Sequence, residues 1–237
     1  FITGSNSKLL SKEIARYLRG KALNYLMLPL SFREFLSFKG MKLEKNYEYG
    51  DQALEVRKYF KEYVKYGGFP EVALSGNLSL KNKLVNNYFE AVLYRDLVDR
   101  LGLKNIKLVE LTMKYVINLY SNTFSITAYE NYLKSNKIPY SLEDIYEIMR
   151  SLRDVFLAEY VKERSKSFRK SELSKSKVYL FDTSFIHFIA NEDDKGRILE
   201  NLVFIELFRR QGNVENKGIF YHSGKHECDF VVDEKEA

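Results

Sequence analysis

With 237 residues, 45% of them apolar and only 3 Pro and 12 Gly, the chain has material for two or three small cores and is excluded from the disordered and linker-dominated classes. Its single cysteine, Cys228, excludes an internal disulfide and argues against a cysteine-based zinc site, which fits a reducing compartment. The net charge of +6 is concentrated: Lys162 to Lys177 holds seven basic residues against Glu163 and Glu172, and a solvated strip of that kind attracts polyanions.

In chain order, Phe1-Ile2-Thr3 reads as the end of a buried strand, and Ser7 as the N-cap of a helix from Lys8 to Arg19 that Gly20 ends. Ala22 to Leu28 reads as a further short strand. Strand, helix and strand make part of a parallel α/β layer, and because the chain opens on Phe1 inside a strand, upstream residues are expected. From Ser31 the pattern turns helical, with helices predicted from near Phe32, over Gln52–Tyr66, and over Leu80–Leu101, and with a sharp break at Gly67-Gly68-Phe69-Pro70. Within the third helix, Arg95 and Asp99, and Asp96 and Arg100, are spaced for helical ion pairs.

Ile106, Val109, Met113, Val116, Ile117 and Tyr120 then recur at three and four, the stripe of an amphipathic helix. A second helix fits Ser125–Ser135. A third starts at Ser141, with Asp144 completing a capping-box pattern and Leu142, Ile145, Met149 and Leu152 inward. Strand-like runs Val155–Val161 and Val178–Phe181 bracket the basic strip, so three helices are followed by a two-stranded hairpin, the order of a winged helix-turn-helix. Finally, Arg197–Arg210 reads as an amphipathic helix with Ile198, Leu202, Ile205 and Leu207 inward, and Ile219–His222 and Cys228–Val232 as paired strands.

The phosphate-binding pattern G-x-x-x-x-G-K-[ST] is absent, since Gly20-Lys21 is followed by Ala22 and Ala15 stands where the first glycine belongs; residues 1–237 alone are not expected to hydrolyse ATP. Asn6 falls at the carboxyl end of a strand, where open α/β sheets bind ligands, and is a candidate for orienting water or a terminal phosphate; helix capping accounts for it equally well. Arg19 and Lys21 are cations that reach phosphates if they lie at a subunit boundary. His222 and His226 lack a third ligand at useful spacing and read as loop residues, while His187, amid Phe185, Ile186 and Phe188, reads as a hydrogen-bonded core histidine.

The runs ITGSNSKLLSKEIARYLRGK, LPLSFREFLSF, GGFPE, YRDLVDR, GRILENLVFIELFRR and ECDFVV, in this order, resemble a family of prokaryotic AAA-type ATPases that carry a winged helix and a carboxyl-terminal restriction-endonuclease-like domain. The resemblance spans nearly the whole chain. It implies that Asn6 is a sensor residue beside the γ-phosphate, and that Arg19 and Lys21 lie near the nucleotide of a neighbouring copy in a homo-oligomer. Lys21 departs from the arginine usual there, and the two are not interchangeable. It also implies that Glu200 and Asp229 are the first two carboxylates of a Mg²⁺-dependent nuclease site. The third element, an acidic-x-Lys pair, has only Asp233-Glu234-Lys235 to offer, four residues after Asp229. Asp229, inside a strand between Cys228 and Phe230, is expected to need a partner because an unpaired buried carboxylate is costly.

The expected fold is therefore α+β and predominantly helical: the end of an AAA core (1–30), a helical lid (31–103), a winged helix (104–185) and the start of a restriction-endonuclease-like domain (186–237). The expected function is that of the carboxyl-terminal part of an ATP-dependent, DNA-associated protein, with ATP and Mg²⁺ as cofactors bound mostly by upstream residues. Residues Ser141–Arg153 would dock on duplex DNA, and Lys166, Arg169 and Lys170 would contact phosphates. Two alternatives stay open: a regulatory ATPase whose terminal regions bind protein, and a metal-dependent nuclease. No apolar run approaches the roughly 20 residues that cross a bilayer, so a cytoplasmic protein is expected.

Overall fold

The computed structural model describes residues 25–99, 102, 105–165, 175–190, 194–212, 218–224 and 227–233. Its described part is α+β, mostly helical, with small antiparallel sheets. Residues 25–28 alternate in burial, Leu26 and Leu28 inward and Tyr25 and Met27 outward, without regular secondary structure. The rest of the predicted strand, residues 22–24, lies outside the described residues; next along, the Leu30 N–H donates to the Gly68 carbonyl at 2.7 Å.

Helix α1 (Phe32–Phe38) opens with a capping box in which the Ser31 hydroxyl accepts from the Glu34 N–H and the Glu34 carboxylate accepts from the Ser31 N–H. It packs through Phe32 and Phe35 onto Tyr63 of α2 (Gln52–Tyr66). The break at Gly67-Gly68 is forced by crowding. Gly67 has φ +71, and a Cβ there would lie 1.8 Å from the Asp182 carboxylate; a Cβ on Gly68 would lie 2.3 Å from the Leu30 carbonyl oxygen. Pro70 then starts the short α3 (Pro70–Leu74), and α4 (Leu78–Ala91) follows with Asn77 as N-cap.

Helix α4 runs into a π-helical stretch, Val92–Val98. The wider turn shifts the side-chain phase, so Arg95 pairs with its neighbour Asp96, Nε to Oδ1 at 2.9 Å, and not with Asp99 as i,i+4 spacing predicted. Arg100, the other expected partner, lies outside the described residues.

Helices α5 (Ile106–Asn118), α6 (Ile126–Ser135) and α7 (Leu142–Asp154) each begin at a side-chain cap, Asn105, Ser125 and Ser141. Between α5 and α6 lies β1 (Thr123–Phe124), too short to read from sequence. It completes a sheet of order β1-β3-β2 with β2 (Ala158–Lys162) and β3 (Ser176–Leu180). The β2–β3 ladder runs from Ala158↔Leu180 to Lys162↔Ser176. Leu142, predicted inward, is exposed in the first turn of α7, whereas Ile145, Ile148 and Leu152 are fully buried.

Both faces of β3 are covered. Val178 and Leu180 join the core of α5–α7, while Tyr179 and Phe181 join a second core with Phe204 and Phe208 of α8 (Lys195–Gln211). Helix α8 is less one-sided than predicted: Asn201, Phe204 and Phe208 are buried, and Leu199 and Val203 are exposed. Beyond it, β4 (Ile219–Ser223) and β5 (Glu227–Val232) form an antiparallel pair. A parallel bridge, Glu163↔Tyr221, with the Arg164 N–H donating to the Tyr221 carbonyl at 2.7 Å, joins this pair to the end of β2.

Candidate functional site

Two polar side chains fix α8 before its carboxylate can be placed. The Arg197 guanidinium lies 4.0 Å from the centre of the Tyr120 ring and donates to the Tyr120 and Asn118 carbonyls, capping the end of α5. One turn on, the buried Asn201 amide accepts from the Leu180 N–H at 2.8 Å and donates to the Leu180 carbonyl at 2.9 Å. Held at these points, α8 presents Glu200 to the face of β3 that carries Lys177 and Tyr179.

Asp229 arrives from the other side. Between the pairs Phe220↔Val231 and His222↔Cys228 the register slips, so two residues of β5, Asp229 and Phe230, face the single Tyr221 of β4. Such a bulge re-aims a side chain. Asp229 is thereby turned toward Lys177 while staying 51% exposed, so the cost of burial expected from its strand position does not arise.

The three residues meet. Lys177 Nζ donates to Glu200 Oε1 at 3.1 Å and to Asp229 Oδ1 at 2.7 Å, and Glu227 Oε1 lies 4.0 Å away. The Tyr179 hydroxyl donates to the same Glu200 oxygen at 2.6 Å, and Lys177 Nζ stands 5.8 Å from the centre of the Tyr221 ring. Burial alone would pull the Lys177 ammonium down; the bonds to Asp229 and Glu200 overcome it and raise its pKa above the usual lysine value. Burial, reinforced by Glu200, pushes the Tyr179 hydroxyl far up, so it remains a donor.

Sequence reasoning thus named both carboxylates and missed their lysine. Lys177 had been counted in the solvated basic strip, but it is buried. Its signal was the run Lys177-Val178-Tyr179-Leu180-Phe181, in which a lysine enters a wholly apolar strand. The other end of the strip is engaged as well, since Arg164 pairs with Asp233 and the Glu163 carboxylate accepts from the Ser223 hydroxyl. Lys166, Arg169 and Lys170 lie outside the described residues, as do Asn6, Arg19, Lys21, His226 and the Glu234-Lys235 pair. His222 is exposed, and His187 is half-buried with its ring edge-on to Tyr66.

The Mg²⁺ expected at Glu200 and Asp229 does not fit this arrangement. Both carboxylates direct an oxygen at the Lys177 ammonium, and among the described residues no group of three or more His, Cys, Asp and Glu could hold a metal ion. The open groove along α4, about 410 Å³ and lined by Ser79, Asn82, Lys83, Asn86, Asn87 and Phe188, holds no carboxylate.

A second buried charge lies on the far side of the sheet. Asp182 accepts from the Gly68 N–H at 2.7 Å and the Ser184 N–H at 2.9 Å, joining the α2–α3 turn to the segment after β3. Burial raises its pKa to about 6, against those two bonds, which lower it.

The chain belongs to the family described as a domain of unknown function (DUF8612), whose model matches residues 57–196. A model described as an AAA domain matches residues 1–36, making the amino-terminal stretch AAA-like. Among curated relatives, the uncharacterized protein MJ1544 of Methanocaldococcus jannaschii is 41% identical over 233 residues, covering 98% of this chain and 52% of the relative. An uncharacterized protein of Haemophilus influenzae is 31% identical over 219 residues, covering 90% of this chain and 52% of that protein. The chain therefore spans about half the length of these relatives. No solved structure matches it. No helix among the described residues is long and apolar enough to cross a membrane.

Proposed function

We propose that this chain is the carboxyl-terminal part of an AAA-type, ATP- and Mg²⁺-dependent protein that binds nucleic acid through a winged helix spanning residues 104–185. The observation that carries the reading is the order α5-β1-α6-α7-β2-β3 closed into the sheet β1-β3-β2, with Lys166, Arg169, Lys170 and Lys175 in the sequence that links β2 to β3. The AAA match at residues 1–36 supports the nucleotide half. In this reading Asn6, Arg19 and Lys21 sense nucleotide in a homo-oligomer, and the remainder of the nucleotide site comes from outside the chain.

The contact with DNA runs through the β2–β3 link and not through α7. The exposed face of α7 presents Glu143, Glu147, Leu142 and Tyr146 against Arg150, and Arg153 is engaged by Glu159, with Nε to Oε1 at 2.8 Å. A face with that balance repels phosphates. It favours a second reading, in which α7 binds a protein partner and the assembly is regulatory.

The test is a salt-dependent mobility shift with mixed duplex DNA, using the full-length protein and its Lys166→Ala/Arg169→Ala/Lys170→Ala variant. The nucleic-acid reading expects affinity at about 0.1 M salt to fall at least tenfold for every sequence, and the slope of log affinity against log salt to drop by about 2–3. Absence of binding by the wild type overturns it in favour of the protein-binding reading.

A further inference from the structure

We propose that Lys177 is a built-in counter-cation that takes the place between Glu200 and Asp229 that a divalent ion would need, and so clasps β3 to α8 and β5. This inference does not depend on DNA binding. It starts from the misfit between the carboxylate pair and Mg²⁺.

The geometry leaves one position between the two carboxylates, and it is filled. Nζ is 3.1 Å from Glu200 Oε1 and 2.7 Å from Asp229 Oδ1, ordinary distances for charge-assisted hydrogen bonds. Mg²⁺ coordinates oxygen at about 2.0–2.1 Å in a near-octahedral shell, so an ion bridging the same two oxygens would have to displace the ammonium. The ammonium is not easily displaced. Its side chain is only 9% exposed and stands over Tyr221, and Glu200 is itself fixed by the Tyr179 hydroxyl. The surroundings point the same way: Glu200, Asp229 and the nearby Glu227 all approach the one ammonium, at 3.1, 2.7 and 4.0 Å.

The clasp also has reach along the chain. Lys177 lies 23 residues before Glu200 and 52 before Asp229, on the strand that leaves the lysine-rich link, so it ties that link to the terminal helix and strand. No local sequence pattern joins the three. Removing the lysine while keeping both carboxylates leaves an anionic notch that attracts another cation.

The experiment is Mn²⁺ binding to the nucleotide-free full-length protein, read by electron paramagnetic resonance of free Mn²⁺ and by the Mn²⁺-dependent change in Tm. Four proteins are compared: wild type, Lys177→Met, Glu200→Gln/Asp229→Asn, and the triple variant combining these changes. The expected result is that Lys177→Met binds Mn²⁺ at least tenfold more tightly than the wild type and gains several degrees of Tm from it. The triple variant loses both effects, and the wild type and Glu200→Gln/Asp229→Asn bind alike. Mn²⁺ binding by the wild type that Glu200→Gln/Asp229→Asn abolishes would overturn the proposal, because the lysine would then stand beside a metal and not in its place. A folded Lys177→Met that gains no Mn²⁺ overturns it too. If Lys177→Met does not fold, the comparison of wild type with Glu200→Gln/Asp229→Asn still decides, equal binding supporting the proposal and unequal binding refuting it.

Discussion

Asp182 and Lys177 are both buried charges at junctions between distant parts of the chain, and they handle burial in opposite ways. Asp182 has two backbone N–H donors facing its carboxylate, and burial outweighs them, so its acid form is favoured and its pKa rises to about 6. Lys177 is met by carboxylates, and their hydrogen bonds outweigh burial, so its charged form is favoured. The difference shows that depth alone does not decide whether a side chain keeps its charge; the charge of the partners does. The Asp182 junction is therefore sensitive to mild pH, whereas the ammonium at the other junction keeps its charge through that range.

The largest effect is expected from breaking the Asp182 side sterically. Gly67→Ala places a Cβ on the carboxylate and forces an alanine into a backbone region that only glycine enters readily (φ +71, ψ −162). A loss of about 3–5 kcal/mol is expected by urea denaturation, the sum of backbone strain and overpacking. A variant within about 1 kcal/mol of wild type would mean the junction gives way freely.

Next comes pH. The folded pKa of Asp182 lies above its unfolded value, 3.8, so the folded protein binds the extra proton between about pH 4 and pH 6, and stability falls as pH rises through that window. A shift of about two units corresponds to roughly 3 kcal/mol. Asp182→Asn removes this titration and turns one acceptor into a donor facing an N–H, so it is less stable than wild type at pH 4. The gap should narrow toward pH 7; a gap that widens would contradict the burial account.

The smallest effect belongs to the Lys177 side. Tyr179→Phe removes the hydroxyl that steadies Glu200 while leaving the ammonium in place, and should cost about 1–2 kcal/mol. Its stability offset should stay flat from pH 5 to pH 8, unlike that of the Asp182 variant. A pH-dependent offset would show that the two junctions are coupled.

The helices were legible because their apolar residues recur at three and four and their caps are side chains of ordinary type. Glu200 and Asp229 were legible only through the resemblance carried by their sequence blocks. Lys177, Asp182, Arg197 and Asn201 were not singled out, and the reason is common to them. Each depends on a partner 21 to 114 residues away, so apart from the apolar run around Lys177 the surrounding sequence does little to distinguish a satisfied buried polar group from a solvated one. Strand β1 escaped because two residues carry no period. The Arg95–Asp99 pair misfired because a π-helical stretch changes the spacing that the i,i+4 rule assumes.

The match to DUF8612 ends at residue 196, in the first turn of α8. That boundary in sequence is not one in space, for the remainder of α8 roofs Tyr179 and Phe181. Expression trimmed at that point would strip the roof and leave aromatic rings open to water, inviting the fragment to clump. A workable truncation must keep the helix through Gln211, even though all but its first two residues fall beyond the named region.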